Sequence, residues 1–110
     1  LTRNFGAVLG YPAELVPLDN PYELRVGSTL RVRCLVDGEP VDNQLVIAGG
    51  EREGKAFDER STRSDADGVA TITIRSAGKW YVKFINMTPS PDEDVDYESK
   101  WATLTFEVKP

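Results

Sequence analysis

Few residues in this chain could do chemistry, and their types narrow what that chemistry would be. There is no His, which removes the commonest general base, the usual nickel, cobalt and zinc ligand, and every Ser-His-Asp or Cys-His nucleophile arrangement. Enzymatic activity is therefore not expected. The single Cys34 cannot form an internal disulfide. It shares the apolar side of an alternating run with Leu30, Val32 and Val36, so it reads as a small buried hydrophobe rather than a reactive thiol. Carboxylates crowd one stretch, where Asp92, Asp94, Asp96 and Glu98 are candidate ligands for a hard cation because several oxygens lie within reach of one another. The competing reading is a solvated linker, since like charges repel and keep a loop open. Asp65-Ala66-Asp67-Gly68 opens like a calcium loop, but the twelfth position counted from Asp65 is Ser76, where a carboxylate is required. A β-turn that uses Asp and Gly for their backbone geometry accounts for it better.

The candidate ligand-binding residues are aromatic. Tyr97 and Trp101 flank the acidic stretch, and with Tyr81 turned outward they would form a platform for a sugar or a peptide. Aromatics that merely cover a sandwich edge are the alternative. Asn86-Met87-Thr88 matches a glycosylation acceptor, which matters only in a eukaryotic secretory setting. No Gly-rich phosphate loop occurs, and no cofactor is called for.

The elements that must position these residues are strands. In Val69 to Ile74, Ala70, Ile72 and Ile74 alternate with Val69, Thr71 and Thr73. In Lys79 to Asn86, Trp80, Val82 and Phe84 alternate with Lys79, Tyr81 and Lys83. Each run has the period of two that half-buries a strand. The short Ser76-Ala77-Gly78 link between them predicts a β-hairpin, with Gly78 taking a left-handed turn conformation. Thr29 to Val36 and Val41 to Ala48, joined by Asp37-Gly38-Glu39-Pro40, predict a second hairpin. Pro12 and Pro17 confine Tyr11 to Leu18 to a sheet edge, and Asp19-Asn20-Pro21 marks a turn. Gly49 to Lys55 reads as an exposed loop, and Ala56 to Ser64 as a strand extending into the central hairpin. Trp101 to Val108 closes the chain with Ala102, Leu104, Phe106 and Val108 inward. About seven short strands without helical periodicity predict an all-β fold, a two-sheet sandwich of immunoglobulin-like or transthyretin-like topology. Residues 1–10 read as an N-terminal arm and 11–110 as a single domain.

Size and charge agree with this reading. At 110 residues, with 40% hydrophobic and 28% charged, the chain fits one globular domain. The net charge of -5 is local: Asp92, Glu93, Asp94, Asp96 and Glu98 supply it, and the other 13 acids match the 13 Lys and Arg. With no clustered basic face, a nucleic-acid partner is not expected. Nor is a membrane span, since no apolar run approaches the roughly 18 residues one requires. The chain opens at Leu1 rather than Met, which reads as an excised domain or a matured product.

Several segments carry a resemblance. Leu15-Val16-Pro17-Leu18-Asp19-Asn20-Pro21-Tyr22 with Leu24-Arg25-Val26-Gly27, then Asp65-Ala66-Asp67-Gly68-Val69-Ala70, then Gly78-Lys79-Trp80-Tyr81-Val82, and finally Tyr97 through Glu107 resemble a bacterial exported family of unknown function. Some of its members are assigned to periplasmic nickel or cobalt uptake. In style the chain is also similar to transthyretin-like and carboxypeptidase regulatory-like sandwiches. The resemblance implies a periplasmic or extracellular β-sandwich, part of a longer protein, acting as a non-catalytic binding or spacer module that meets a glycan, a protein or a sister domain. The alternative it implies is an accessory domain of nickel or cobalt uptake. Family members often carry His where this chain has Asn86, and tend to have one near Tyr11. Without those imidazoles the available ligands are carboxylates and an amide, which favour hard cations over nickel or cobalt.

Overall fold

A computed structural model describes residues 10–89 and 97–110. Its strands are β1 (Ala13–Pro17), β2 (Thr29–Val36), β3 (Glu39–Pro40), β4 (Leu45–Arg52), β5 (Lys55–Arg63), β6 (Val69–Thr73), β7 (Gly78–Pro89) and β8 (Tyr97–Val108). One four-stranded sheet, here the first sheet, has β2 at its centre, with β1 along one side and β6 and the short β3 along the other. The second has the order β5-β4-β7-β8. All pairings are antiparallel. The two sheets pack as a sandwich over Leu30, Val32, Cys34, Ala70 and Ile72 on one side and Val46, Ala48, Trp80, Val82, Phe84, Phe106 and Val108 on the other. These are the alternate positions that the period-two pattern turns inward. The expected arm at 1–10 lies, apart from Gly10, outside the described residues.

The edge assignment for the Pro-containing segment holds, because among the described residues β1 pairs only with β2. Asn20 then caps a short 3-10 turn over Pro21–Glu23, its Oδ1 accepting from the Tyr22 amide at 2.9 Å. Just before that turn, Asp19 takes a two-pronged ion pair from Arg31 at 2.9 and 3.1 Å. The Arg31 guanidinium holds the Asp19 carboxyl below its ordinary range. Tight turns fall where Gly sits. Asp37-Gly38 and Glu53-Gly54 both have positive φ at both residues, the two-residue turn whose twist matches paired strands.

Both hairpins expected from the sequence are corrected. β6 does not pair with β7. It pairs with β2, while β7 lies in the other sheet between β4 and β8. The link between them crosses the end of the core, where Ile74 and Ala77 are buried, and the Trp80 indole Nε1–H donates to Ser76 O at 2.9 Å. Gly78 does take a positive φ, 136, but at the head of β7 rather than in a hairpin loop, where the backbone of β4 passes close by. Likewise β2 turns back only onto β3, and β4 begins the second sheet. Ser64 ties that crossing together: its Oγ donates to Val41 O at 2.5 Å and accepts from Gln44 N at 2.8 Å.

The segment expected as a loop at Gly49 to Lys55 is instead strand, turn and strand, and Ala56 to Ser64 pairs with β4 rather than joining a central hairpin. Two glycines make this possible. A Cβ at Gly50 would come within 2.1 Å of Lys79 O, and one at Gly49 within 2.6 Å of the Tyr81 hydroxyl. Without side chains there, β7 approaches β4 closely, while on the other side of β4 its ladder with β5 carries a bulge between Ala48 and Gly50.

Candidate functional site

The cation candidates Asp92, Asp94 and Asp96 lie outside the described residues. Glu98 falls in β8 opposite Thr88, and Tyr97 opposite Pro89, but both side chains are likewise outside what is described. Tyr81 and Trp101 are described, and the outward orientation expected for them holds: Tyr81 is half-buried and Trp101 is exposed. They do not form one platform. Tyr81 pairs with Thr105 and Trp101 with Ile85, so they share the solvent face of the second sheet but stand four residues apart, ~13 Å at the usual strand rise.

Each station has its own surroundings. Trp101 is 67% exposed, its cross-strand partner Ile85 58%, Met87 62% and Leu45 39%. Met87 follows Ile85 on the same face. Leu45 lies two residues before Ile47, which pairs with Lys83, and that register sets Leu45 beside Ile85. Gln44 confirms the closeness, donating from Nε2 to Ile85 O at 3.0 Å. Arg63, the partner of Leu45, and Lys83 give this apolar row a basic rim. Sequence alternation had set Trp101 opposite the inward row; it could not show that neighbouring strands bring Leu45 and Ile85 beside it.

At the other station Tyr81 leans over Gly49, and its hydroxyl donates to Glu59 Oε2. That bond raises the phenol above its ordinary range, with burial and the carboxylate charge adding to it. Lys83 Nζ stands 5.2 Å from the ring centroid and 4.0 Å from Glu59 Oε2. Beside Tyr81 runs a groove of ≈ 760 Å³ bordered by Glu59, Thr105, Lys79, Glu51 and Glu107. These side chains are exposed and come from rows of alternating residues that face solvent. Between them lies the row whose side chains turn inward, Phe57, Gly50, Trp80 and Phe106. Reading Gly49 to Lys55 as a loop hid Glu51 as a site residue, and reading Ala56 to Ser64 as a strand extending into the central hairpin hid the place of Glu59 beside Tyr81. The paired glycines and the Glu53-Gly54 turn were the available clue.

The remaining candidates have structural roles. Asp65 Oδ1 accepts from the amides of Asp67 and Val69 at 2.9 and 3.0 Å, the Asp-led turn expected there. Asn86 is on the inward row, and its Nδ2 donates to Gln44 Oε1 at 3.0 Å, so the nitrogen a glycan would need is engaged inside the sandwich. Cys34 is buried, and burial pushes its thiol up to about 12. Native protein is expected to resist alkylation at conditions where the unfolded chain reacts. The sign of the pH dependence follows. Above 9.0 the unfolded chain loses the thiol proton while the folded chain keeps it to about 12, so Cys34 contributes a fall in stability as pH rises through that window. Urea unfolding of the parent and Cys34→Ala across it should show the difference shifting against the parent; a constant difference would contradict this.

No curated protein and no solved structure matches the chain. Among the described residues no helix is long and apolar enough to cross a membrane. The family profile for a domain of unknown function (DUF4198) matches residues 1–88, a stretch running from the amino terminus nearly to the end of β7, and the chain therefore belongs to that family.

Proposed function

We propose that this domain is a non-catalytic binding module of a larger exported bacterial protein, and that it meets a partner protein through the solvent face of the second sheet. The observation that supports it is the row Leu45, Ile85 and Trp101 with Met87 beside it, all exposed. Folded monomers rarely leave apolar patches beyond a few hundred Å² in water, and those that do generally use them. The patch is largely aliphatic and lies on the solvent face of a four-stranded sheet, which suits a protein surface. Its rim of Arg63 and Lys83 calls for an apolar centre with acidic surroundings on the partner. The absence of an imidazole and the burial of the one thiol support a role without catalysis. An export setting is supported by the resemblance to exported sandwiches. A role in nickel uptake would call for softer ligands than this chain offers.

A photo-crosslinking residue placed at Ile85, with Thr71 on the first sheet as control, tests the interface in producing cells. A discrete adduct from position 85 that Leu45→Lys suppresses is expected. No adduct, equal adducts from both sites, or an adduct of twice the chain's own mass would overturn the assignment of a partner protein. Cell fractionation tests export, and recovery with the cytosol would overturn that part.

A further inference from the structure

We propose that the groove beside Tyr81 binds a neutral saccharide chain, a second binding site on the same face that does not depend on the apolar row. Its shape is the first reason. The groove runs across neighbouring strands, is open to solvent, and at ≈ 760 Å³ falls within the roughly 300–1,000 Å³ typical of ligand sites. An open trough suits a chain that enters from the side better than a small apolar cofactor, which needs enclosure.

Its chemistry is the second reason. Glu59, Glu51 and Glu107 supply carboxylate acceptors, Lys79 supplies donors and the Thr105 hydroxyl supplies both, while the Tyr81 ring offers a flat apolar surface among them. Hydroxyl groups along the edge of a sugar can give to the first set and accept from the second, and the C–H face of the ring can lie on the aromatic. Anions are disfavoured, because the three carboxylates outnumber the two ammoniums, Lys79 along the wall and Lys83 over the Tyr81 ring. A free metal ion is also a poor fit: among the described residues no group of three or more His, Cys, Asp or Glu could hold one.

Tyr81 is held for this task. Gly49 leaves room for its hydroxyl, and Glu59 anchors that hydroxyl. The Lys83 ammonium over the ring is a partly exposed group on a flexible stem, and a sugar can displace it at small cost.

Isothermal titration of the whole chain with cellotetraose, chitotetraose, xylotetraose and maltotetraose tests the site, with spermidine as a cationic comparison. Saturable binding of at least one tetrasaccharide is expected. Tyr81→Ala should weaken it about tenfold or more, while Tyr81→Phe, which keeps the ring, should stay within about threefold. Trp101→Ala should leave it unchanged, and Lys83→Ala should not weaken it. No binding of any of the four, binding of spermidine alone, or loss on Trp101→Ala with Tyr81→Ala silent would overturn the proposal. Because crosslinking from Ile85 reads the apolar row and titration reads the groove, failure of one reading leaves the other to be judged separately.

Discussion

Replacing Trp80 with Ala is expected to cost about 3–5 kcal/mol of folding stability, the range for removing a large aromatic from a well-packed core. Trp80 is 2% exposed and sits in the middle of an aromatic row. Phe57 lies on one side with ring centroids 4.8 Å apart, and Phe106 on the other at 6.3 Å and nearly parallel. Phe57 belongs to β5 and reaches Trp80 across Gly50, where a Cβ would meet its ring at 2.6 Å. The indole Nε1–H is satisfied by Ser76 O, so truncation also removes the bond that fixes the crossing between the sheets. Arg75 covers the ring at 5.8 Å from its centroid, leaving little freedom for neighbours to collapse into the void. Trp101→Ala, the same chemical change at an exposed position, should shift stability by less than about 0.5 kcal/mol. Urea unfolding of the two variants gives the comparison. Similar losses from both, or less than about 1 kcal/mol from Trp80→Ala, would mean that the row does not hold the sandwich together.

Gly78→Ala should cost about 3 kcal/mol, for two separate reasons. The φ of 136 is one that a residue with a Cβ rarely adopts, with a strain of roughly 1–3 kcal/mol. An added Cβ would also stand 2.3 Å from Glu51 O and 3.2 Å from Arg52 Cβ. The first of these atoms is backbone in the neighbouring strand and cannot rotate away, so relief requires moving β4, at a further ~1–3 kcal/mol. Gly54 separates the two causes. Its φ is 80 and nothing lies within 4 Å, so Gly54→Asn, a residue that tolerates left-handed backbone, should cost less than ~1 kcal/mol. Thermal unfolding of both variants tests this. A Gly78→Ala protein as stable as Gly54→Asn would show that β7 and β4 are not as closely apposed as described.

The candidate site was legible only in parts. Tyr81 and Trp101 could be assigned to the solvent side because each occupies the polar phase of a clean alternation. Glu51 could not, since Gly49 and Gly50 interrupt the alternation of β4 and make it resemble a loop, nor could Glu59, since β5 was expected beside the central hairpin rather than along β4. The aromatics were expected at one place because Trp101 flanks the acidic stretch and Tyr81 turns outward. Register sets their separation, and register between β7 and β8 depends on pairing residue by residue over the whole length of both strands. The two hairpins misassigned from sequence have a shared cause. A link of a few residues can return a strand beside itself or carry it across to the opposite sheet, and the alternation of the strands is the same in either case. The apolar Ile74 and Ala77 were the hint at the second crossing, since a hairpin tip would leave them in water.

From its residues alone this chain determined an all-β fold, the edge position of β1, and the inward rows through Trp80, Phe84 and Phe106, because proline geometry and side-chain alternation act locally along a strand. Tertiary structure alone decided that β6 joins β2, that β4 lies against β7, and that Leu45, Ile85 and Trp101 meet on one face. Which strands become neighbours is settled by how both sheets together can cover one core, a condition that no single segment carries.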